Sequence, residues 1–182
     1  MDKILAFVFL SAGIVYISRS SLRLPRSHGF YRFFAWELIL ALLLLNLNAW
    51  FQQPFSWHQL ISWFLLLVCF IPLIFGTYSL ISRGKPGAVR DEVGLFSFEK
   101  TSSLVTSGIY GYIRHPLYSS LILLTWGIYF KAPTWISTLL MLAATVFLVA
   151  TSRADELECI RYFGKEYQDY MGRTKRFIPF IV

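Results

Sequence analysis

The sequence predicts an all-α integral membrane protein with about five transmembrane helices, the last two forming an antiparallel hairpin. Of its 182 residues, 56% are hydrophobic and 15% are charged, against about 45–50% apolar and about 25% charged residues in a typical soluble domain. The mean hydropathy is +0.56, and the apolar residues are gathered into five blocks. Because so few charges cannot cover a water-exposed surface, a soluble globular protein is disfavoured and intrinsic disorder is excluded.

The first apolar block, residues 4–18, is 15 residues long, which is shorter than the roughly 17–25 residues of a usual spanning helix. It lies between Lys3 and Arg19, whose long side chains can reach the two membrane interfaces. A secretory signal peptide is the alternative, because Lys3 precedes an apolar run with small residues at positions 11–13. The run continues beyond them to Ile17, which favours an uncleaved membrane anchor.

The other four blocks predict the remaining helices. Residues 33–51 and 57–82 are long enough to span, and the latter block contains Pro72. Residues 117–130 and 134–152 form the fourth and fifth blocks. The short connection at residues 131–133 contains a proline, so these two blocks are predicted to form the helical hairpin.

The basic residues predict the orientation. Of the 17 lysines and arginines, 15 follow blocks one, three and five, among them Arg90, while Lys3 and Lys131 lie on the other side. The positive-inside rule then places the N-terminus outside and the C-terminus on the cytoplasmic face. The net charge of +7 is therefore interpreted as orientation and attraction to anionic lipid headgroups. Nucleic-acid binding is not expected, because the bases lie in juxtamembrane loops.

Other chemical signals are sparse. The sequence has no phosphate-binding glycine loop, no hydrolase nucleophile motif and no paired His/Cys spacing, so no metal site is expected. Cys69 and Cys159 are predicted to lie at different membrane depths, so no disulfide is expected. Glu37 is the one carboxylate inside an apolar block and is a functional candidate on that ground. It lies five residues after Arg32, however, and could simply reach the interface.

Two segments of the second half of the chain combine polar and aromatic residues. The 34 residues from 83 to 116 separate blocks three and four, and the break at residues 83–87 contains glycine and proline. Pro116 suits the first position of the fourth helix, so Arg114 and His115 would stand at a helix N-terminus that favours anions. The alternative is that Arg114 contacts lipid phosphate and His115 only caps the helix.

The segment after block five carries three carboxylates, Asp155, Glu156 and Glu158, on a face that is otherwise basic. They suggest a cationic partner, and ion pairing with neighbouring arginines is the alternative. The tail that follows alternates aromatic and basic residues up to Phe180 and is predicted to lie on the membrane interface.

A family resemblance rests on these two segments. The pattern GxY…RHPxY occurs at Gly108, Tyr110, Arg114, His115, Pro116 and Tyr118, followed by the acidic pair at 155–156, the F-G-x-x-Y-x-x-Y spacing at 163–170 and R-F-I-P at 176–179. Together they resemble the isoprenylcysteine carboxyl methyltransferase family over roughly residues 76–180. Phospholipid N-methyltransferases share the wider architecture, and the tail spacing alone is similar to membrane steroid reductases.

The resemblance implies S-adenosylmethionine as methyl donor, bound at the cytoplasmic membrane surface. The implied cofactor contacts are Ser103, Leu104, Val105, Tyr110, His115, Pro116, Leu117, Tyr118, Asp155 and Glu156. The candidate catalytic residues are Arg114, His115, Arg153 and Glu156. The sequence departs from the family pattern at two positions. Asp155 stands where the family often has a glutamate, and Thr151 stands where eukaryotic members have an arginine directed at the substrate carboxylate. The second departure leaves the choice of substrate open.

The expected reaction depends on the acceptor. A carboxylate acceptor of isoprenylcysteine type is already ionised and needs no general base, with Arg114 or Arg153 as its guide. An aminophospholipid acceptor must lose a proton, with His115, Glu37 or Glu156 as candidate base. The lipophilic part of either substrate could reach the site sideways from the bilayer. A small membrane scaffold without enzymatic activity, and a membrane reductase or transporter, are the remaining alternatives.

The expected organisation is one integrated membrane domain with two parts. Residues 1–82 supply the three N-terminal helices, and residues 83–182 supply the loop, the hairpin and the helical tail that form the cofactor site. Membrane lipids and a lipophilic or prenylated substrate are the expected partners.

Overall fold

The computed structural model describes residues 3–85, 95–97 and 99–179, and these ranges contain seven α-helices. In chain order they are α1 (Lys3–Leu22), α2 (His28–Asn46), α3 (Trp57–Val68), α4 (Phe70–Arg83), α5 (Pro116–Tyr129), α6 (Trp135–Phe163) and α7 (Lys165–Arg173). Short 3-10 helices cover Leu47–Ala49 and Gly108–Gly111. The described ranges contain no β-strand, only isolated bridge residues, so the all-α prediction is confirmed. Arg90 and Phe180 lie outside the described residues.

The described part of the chain holds four helical stretches long and apolar enough to cross a membrane. They are Lys3–Leu22, His28–Ala49, Trp57–Arg83 and Trp135–Phe163. The chain therefore has the helices of a multi-pass membrane protein. The fourth predicted block forms α5, whose 14 residues extend about 21 Å at roughly 1.5 Å per residue, short of the ~30 Å hydrocarbon core. The count of five spans and their orientation stay predictions.

The third apolar block is broken into two helices by its proline. α3 ends at Val68 and α4 begins at Phe70, with Cys69 between them. Pro72 has no backbone N–H to donate to the carbonyl of Val68, which lies four residues earlier, so the hydrogen-bond ladder is interrupted at this point.

The core lies where α2, α3, α5 and α6 meet. Its buried side chains are Ala35, Ile39, Leu42, Leu66, Ile128, Met141, Ala144 and Leu148. α1 packs on the outside of this group, with Ala6 against Leu40 and Leu44 of α2. α1 also presents Ser11, whose hydroxyl donates to Glu37 at 3.0 Å.

α5 and α6 pack against each other, and a buried lysine anchors the short connection between them. That they form an antiparallel transmembrane hairpin stays a prediction. Lys131 is 1% exposed, donates to Gln59 Oε1 of α3 at 3.0 Å and places its ammonium 3.3 Å from the centroid of the Trp63 ring. Burial lowers the pKa of Lys131 to about 8. A capping box of Thr134 and Ser137 then starts α6.

α6 is much longer than the apolar block that predicted it. The block ends at residue 152, but the helix continues to Phe163 and stops at Gly164, which has a positive φ of 61°. Hydropathy marks where the helix leaves the apolar layer, whereas the helix itself ends only where the backbone turns left-handed. The acidic residues therefore stand on a rigid extension of α6.

The chain that follows α7 returns to the residues before α5. Arg114 N–H donates to Lys175 O at 2.8 Å, His115 N–H donates to Arg176 O at 3.1 Å, and Lys175 N–H donates to Tyr112 O at 3.1 Å. These bonds accompany the parallel bridge between Ile113 and Lys175. The tail is thus attached to the helix N-terminus that carries Arg114 and His115.

Gly127 lies at the close contact of α5 with α3. A Cβ atom at Gly127 would lie 2.9 Å from Leu66 Cγ and 3.2 Å from Leu66 N, whereas a Cβ atom at Gly13 of α1 would meet nothing within 4 Å. We expect Gly127→Ala to lower the thermal unfolding temperature in detergent, because α3 must move away, despite the ~0.5–1 kcal/mol that alanine gains in a helix.

Gly13→Ala is the matched control, because it has the same helical gain and no steric cost. Its unfolding temperature should equal or exceed that of the wild type. Equal unfolding temperatures for the two variants would show that the contact at Gly127 is not tight.

Candidate functional site

A cavity opens where the loop before α5, the start of α5, the end of α6 and α7 come together. Its lining residues are Leu80, Leu95, Glu99, Thr101, Leu104, Val105, Tyr110, Arg114, His115, Leu117, Tyr118, Asp155, Cys159, Phe163, Tyr167 and Tyr170. The space between these walls, including the open mouth, is about 650 Å³. Most walls are apolar or aromatic, and a few charged groups reach the space.

Glu156 is the centre of the charge network behind the cavity. Its Oε1 accepts from Arg114 Nε at 2.9 Å and from Arg176 Nε at 3.1 Å, and its Oε2 accepts from Arg176 Nη2 at 2.6 Å. His115 Nε2 lies 3.3 Å from Oε1. The Glu156 side chain is 5% exposed. Because both oxygens are occupied by cationic donors, Glu156 holds protein groups in place.

Arg114 is tied to the tail as well as to Glu156. Its Nη1 donates to Met171 O at 3.2 Å and to Thr174 O. These carbonyls lie at the C-terminal end of α7, where a cation interacts favourably with the helix dipole. The expectation that Arg114 merely contacts lipid phosphate is therefore not supported.

His115 connects the network to the cavity. Its Nδ1 lies 3.5 Å from Asp155 Oδ2, and its ring stacks on Tyr118 with a centroid distance of 5.4 Å. Burial opposes protonation, but hydrogen bonds to Asp155 and Glu156 outweigh it and raise the pKa of His115 above 6.5. His115 occupies the N-cap position of α5, but its side chain makes no capping hydrogen bond. Its ring lines the cavity instead.

Glu99 is the second carboxylate of the cavity, and the loop brings it there. It accepts from Arg32 Nη1 at 3.1 Å and from Phe96 N–H at 2.9 Å. The Arg32 guanidinium lies 5.0 Å from the Trp36 ring and 4.8 Å from the Phe96 ring. This ion pair attaches the loop before α5 to α2, far away in sequence.

A buried histidine supports the acidic end of α6 from the other side. His28 N–H donates to Glu158 Oε1 at 2.9 Å, and its Nδ1 contacts Glu158 Oε2. His28 is fully buried. One possible metal-ligating atom each of His28, Asp155 and Glu158 lies within 4.8 Å of the others, although His28 is far from the two acids in sequence. The acids of α6 are therefore fixed from both α2 and α5.

Tyrosines form one wall of the cavity. Tyr170 Oη donates to Tyr110 O at 2.6 Å, and Tyr167 packs against Tyr170 with a centroid distance of 5.7 Å. Burial raises the pKa of all three tyrosines above the ordinary range. They therefore remain neutral and present aromatic faces and hydroxyl groups.

The structure brings most of the predicted site residues together. Leu104, Val105, Tyr110, Arg114, His115, Leu117, Tyr118 and Asp155 line the cavity. Ser103 and Pro116 do not line it, and Glu156 lies behind it in the ionic network. Arg153 is exposed and lines a separate groove, so its expected role as an acceptor guide stays a prediction. Glu37 bonds to Ser11 of α1 and is not part of the site.

Sequence reasoning missed several lining residues. Among them, Phe163, Tyr167 and Tyr170 belong to the spacing that was noted only as a family feature, and Cys159 lies one helical turn after Asp155. No sequence pattern predicted Glu99 as a site residue, because its place in the cavity depends on its ion pair with Arg32.

Comparison with known proteins agrees with this site. A family model described as phospholipid methyltransferase matches residues 63–166, more than half of the chain and most of the cavity wall. The chain belongs to the phospholipid methyltransferase family. The match includes the RHPxY segment and the acids of α6, so the resemblance that was based on those residues is confirmed.

Individual relatives carry a narrower name. The protein-S-isoprenylcysteine O-methyltransferase of Schizosaccharomyces pombe is 32% identical over 83 residues, covering 45% of this chain and 35% of that protein. The Mus musculus and Rattus norvegicus proteins of the same name are each 32% identical over 88 residues, covering 44% of this chain and 29% of theirs. The chain thus spans about a third of the length of these curated relatives.

Removing the central carboxylate of the network should destabilise the protein strongly. Glu156→Gln leaves Arg114, Arg176 and His115 without their common counter-ion, and breaking a buried ion pair costs about 3–5 kcal/mol. We expect a loss of this size in detergent unfolding experiments. The control is Glu166→Gln on the exposed side of α7, which should change stability by less than about 0.5 kcal/mol. Equal losses for both variants would contradict the central role of Glu156.

The raised pKa of His115 predicts a pH-dependent stability. The protonated ring is stabilised by Asp155 and Glu156, so this contribution is complete below pH 6.5, the ordinary pKa, and is lost as the pH rises through the higher folded-state pKa. The unfolding temperature of the wild type should therefore fall between neutral and alkaline pH. His115→Asn should give a shallower slope, and identical slopes would show that His115 is already neutral.

Proposed function

We propose that this chain is an S-adenosylmethionine-dependent methyltransferase that acts at the cytoplasmic membrane surface on a lipophilic acceptor. The preferred reaction is carboxyl O-methylation of an isoprenylcysteine-like substrate. The observation that carries the proposal is the convergence of the RHPxY segment and Asp155 on one cavity, in a chain that belongs to the phospholipid methyltransferase family. The names of the relatives support the choice of acceptor.

The cavity suits the chemical groups of the cofactor. Its carboxylates, Asp155 and Glu99, match an ammonium group, a sulfonium group and ribose hydroxyls. Leu104, Val105 and Tyr110 supply the apolar and aromatic walls that an adenine ring requires. The protonated His115 can balance the cofactor's own carboxylate. When bound, the cofactor supplies an electrophilic methyl group.

The chain's residues then act mainly by positioning and by excluding water. Glu156 holds Arg114 and His115 against the cavity, and the attached tail covers them. Fixed charges in a site shielded from water interact more strongly than in solvent and need no reorganisation during the reaction. Apolar side chains of α4 and α5, Leu80 and Leu117, offer a wall along which a lipid tail can reach the cavity from the bilayer.

The protonation states favour an acceptor that needs no general base. The carboxylate partners of His115 raise its pKa, which favours the protonated imidazole and weakens His115 as a base. Both oxygens of Glu156 accept hydrogen bonds from arginines, which weakens it as a base. Glu37 lies outside the cavity. A carboxylate acceptor is already ionised, whereas the amine of an aminophospholipid would need one of these groups to remove its proton.

Ligand binding tests the cofactor assignment. We expect S-adenosylhomocysteine to bind the purified protein in detergent calorimetry, and Asp155→Asn to weaken binding at least about tenfold, because a charged hydrogen bond contributes about 1.5–3 kcal/mol. Asp169→Asn, at an exposed position on α7, is the matched control and should bind like the wild type. No binding by a folded wild-type protein at millimolar ligand would refute the proposal and favour a membrane scaffold.

Methyl transfer tests the acceptor. Radiolabelled methyl groups should appear on farnesylcysteine analogues in a form released by mild base, as methyl esters are. Transfer to an aminophospholipid in place of the farnesylcysteine analogue would instead identify the runner-up activity, and it would leave the cofactor assignment intact.

A further inference from the structure

A second groove runs along the opposite side of α6 from the cavity. Its walls include Arg26 of the α1–α2 turn, Tyr31 of α2, and Val146, Val149, Arg153 and Leu157 of α6. Residues 153 and 155 are about 200° apart on an α-helix, given 3.6 residues per turn. Arg153 therefore faces away from Asp155, and the groove is separate from the site described above.

Two exposed guanidinium groups, those of Arg26 and Arg153, lie at this groove. Within residues 3–85, 95–97 and 99–179, neither side chain makes an ion pair or a hydrogen bond. On the cavity side of α6, Arg114 and Arg176 are both paired with Glu156. Arg26 also has a left-handed backbone conformation with a φ of 71°, which is unfavourable for a residue other than glycine.

Most of the remaining lining of the groove is apolar, and two of its apolar side chains are exposed. Val146 and Leu157 are 66% and 57% exposed. Together with Val149 and Arg153 they recur at intervals of three and four residues, so they lie on one face of the helix. A soluble ligand would leave this apolar strip uncovered.

The position of Arg153 along α6 places it at the height of lipid headgroups. The helix begins at Trp135, and residues 135–152 contain no charged side chain. Eighteen residues extend about 27 Å at roughly 1.5 Å per residue, close to the ~30 Å of the hydrocarbon core. Val146 lies about 10 Å deeper than Arg153 by the same rise.

We infer that this groove binds one anionic phospholipid, with its phosphate on Arg26 and Arg153 and an acyl chain along Val149 and Val146. Guanidinium groups match phosphate oxygens in charge and geometry, and the apolar strip continues from them toward the middle of the membrane. This gives Arg153 a lipid ligand in place of its expected role toward the methyl acceptor. The inference is independent of methyl transfer.

Lipid binding to the detergent-purified full chain tests the inference. Native mass spectrometry should show that phosphatidylglycerol binds at least about tenfold more tightly than phosphatidylcholine with the same acyl chains, as expected for a net anionic ligand near two arginines. The double variant Arg26→Gln/Arg153→Gln should lose this preference. Arg23→Gln, an exposed arginine of the same turn that does not line the groove, is the matched control and should keep it.

Three results would overturn the inference. Equal binding of the two lipids to the wild type would mean that the groove does not recognise an anionic headgroup. An unchanged preference in a folded double variant would place the lipid elsewhere. Complete competition by millimolar inorganic phosphate would identify a site for free anions and not for a lipid. The comparison of the two lipids uses the wild type, so the test does not depend on the folding of a variant.

Discussion

A carboxylate that is removed from water needs cationic partners, and in this protein Glu156 meets that need with groups from two distant segments. Arg114 and His115 come from the residues before α5, and Arg176 comes from the tail after α7. Since the carboxylate itself stands on α6, one side chain joins three parts of the chain. An uncompensated charge at this depth would be costly, so the network requires the hairpin, the loop and the tail to meet. The cavity lies where these parts of the chain meet.

The attached tail also holds the walls of the cavity in place. Backbone hydrogen bonds hold residues 175–176 beside residues 112–115, and Tyr170 reaches back to Tyr110. On the opposite side, Arg32 of α2 fixes Glu99 of the loop. A loop and a tail without long regular structure thus become walls because charged and backbone groups fasten them to helices. This arrangement positions polar groups in a protein that is otherwise strongly apolar.

The long α6 separates two environments. One side carries Asp155 and Cys159 into the cavity, and the other carries Arg153 into an exposed apolar groove. Because successive helical residues differ by about 100° in direction, residues that are adjacent in sequence serve different surfaces. The charged end of α6 is thus divided between the cavity and the groove.

The sequence by itself determined the helical class and the family. Hydropathy, the Pro116 helix start and the RHPxY pattern are local properties, and local properties can be observed without knowing the fold. Tertiary structure alone decided the rest. It placed Glu99 in the cavity through Arg32, brought His28 to the acids of α6, put Glu156 behind the cavity and turned Arg153 away from it. The physical reason is that an ion pair depends on which segments approach each other in space, and the spacing of residues along one chain segment does not contain that information.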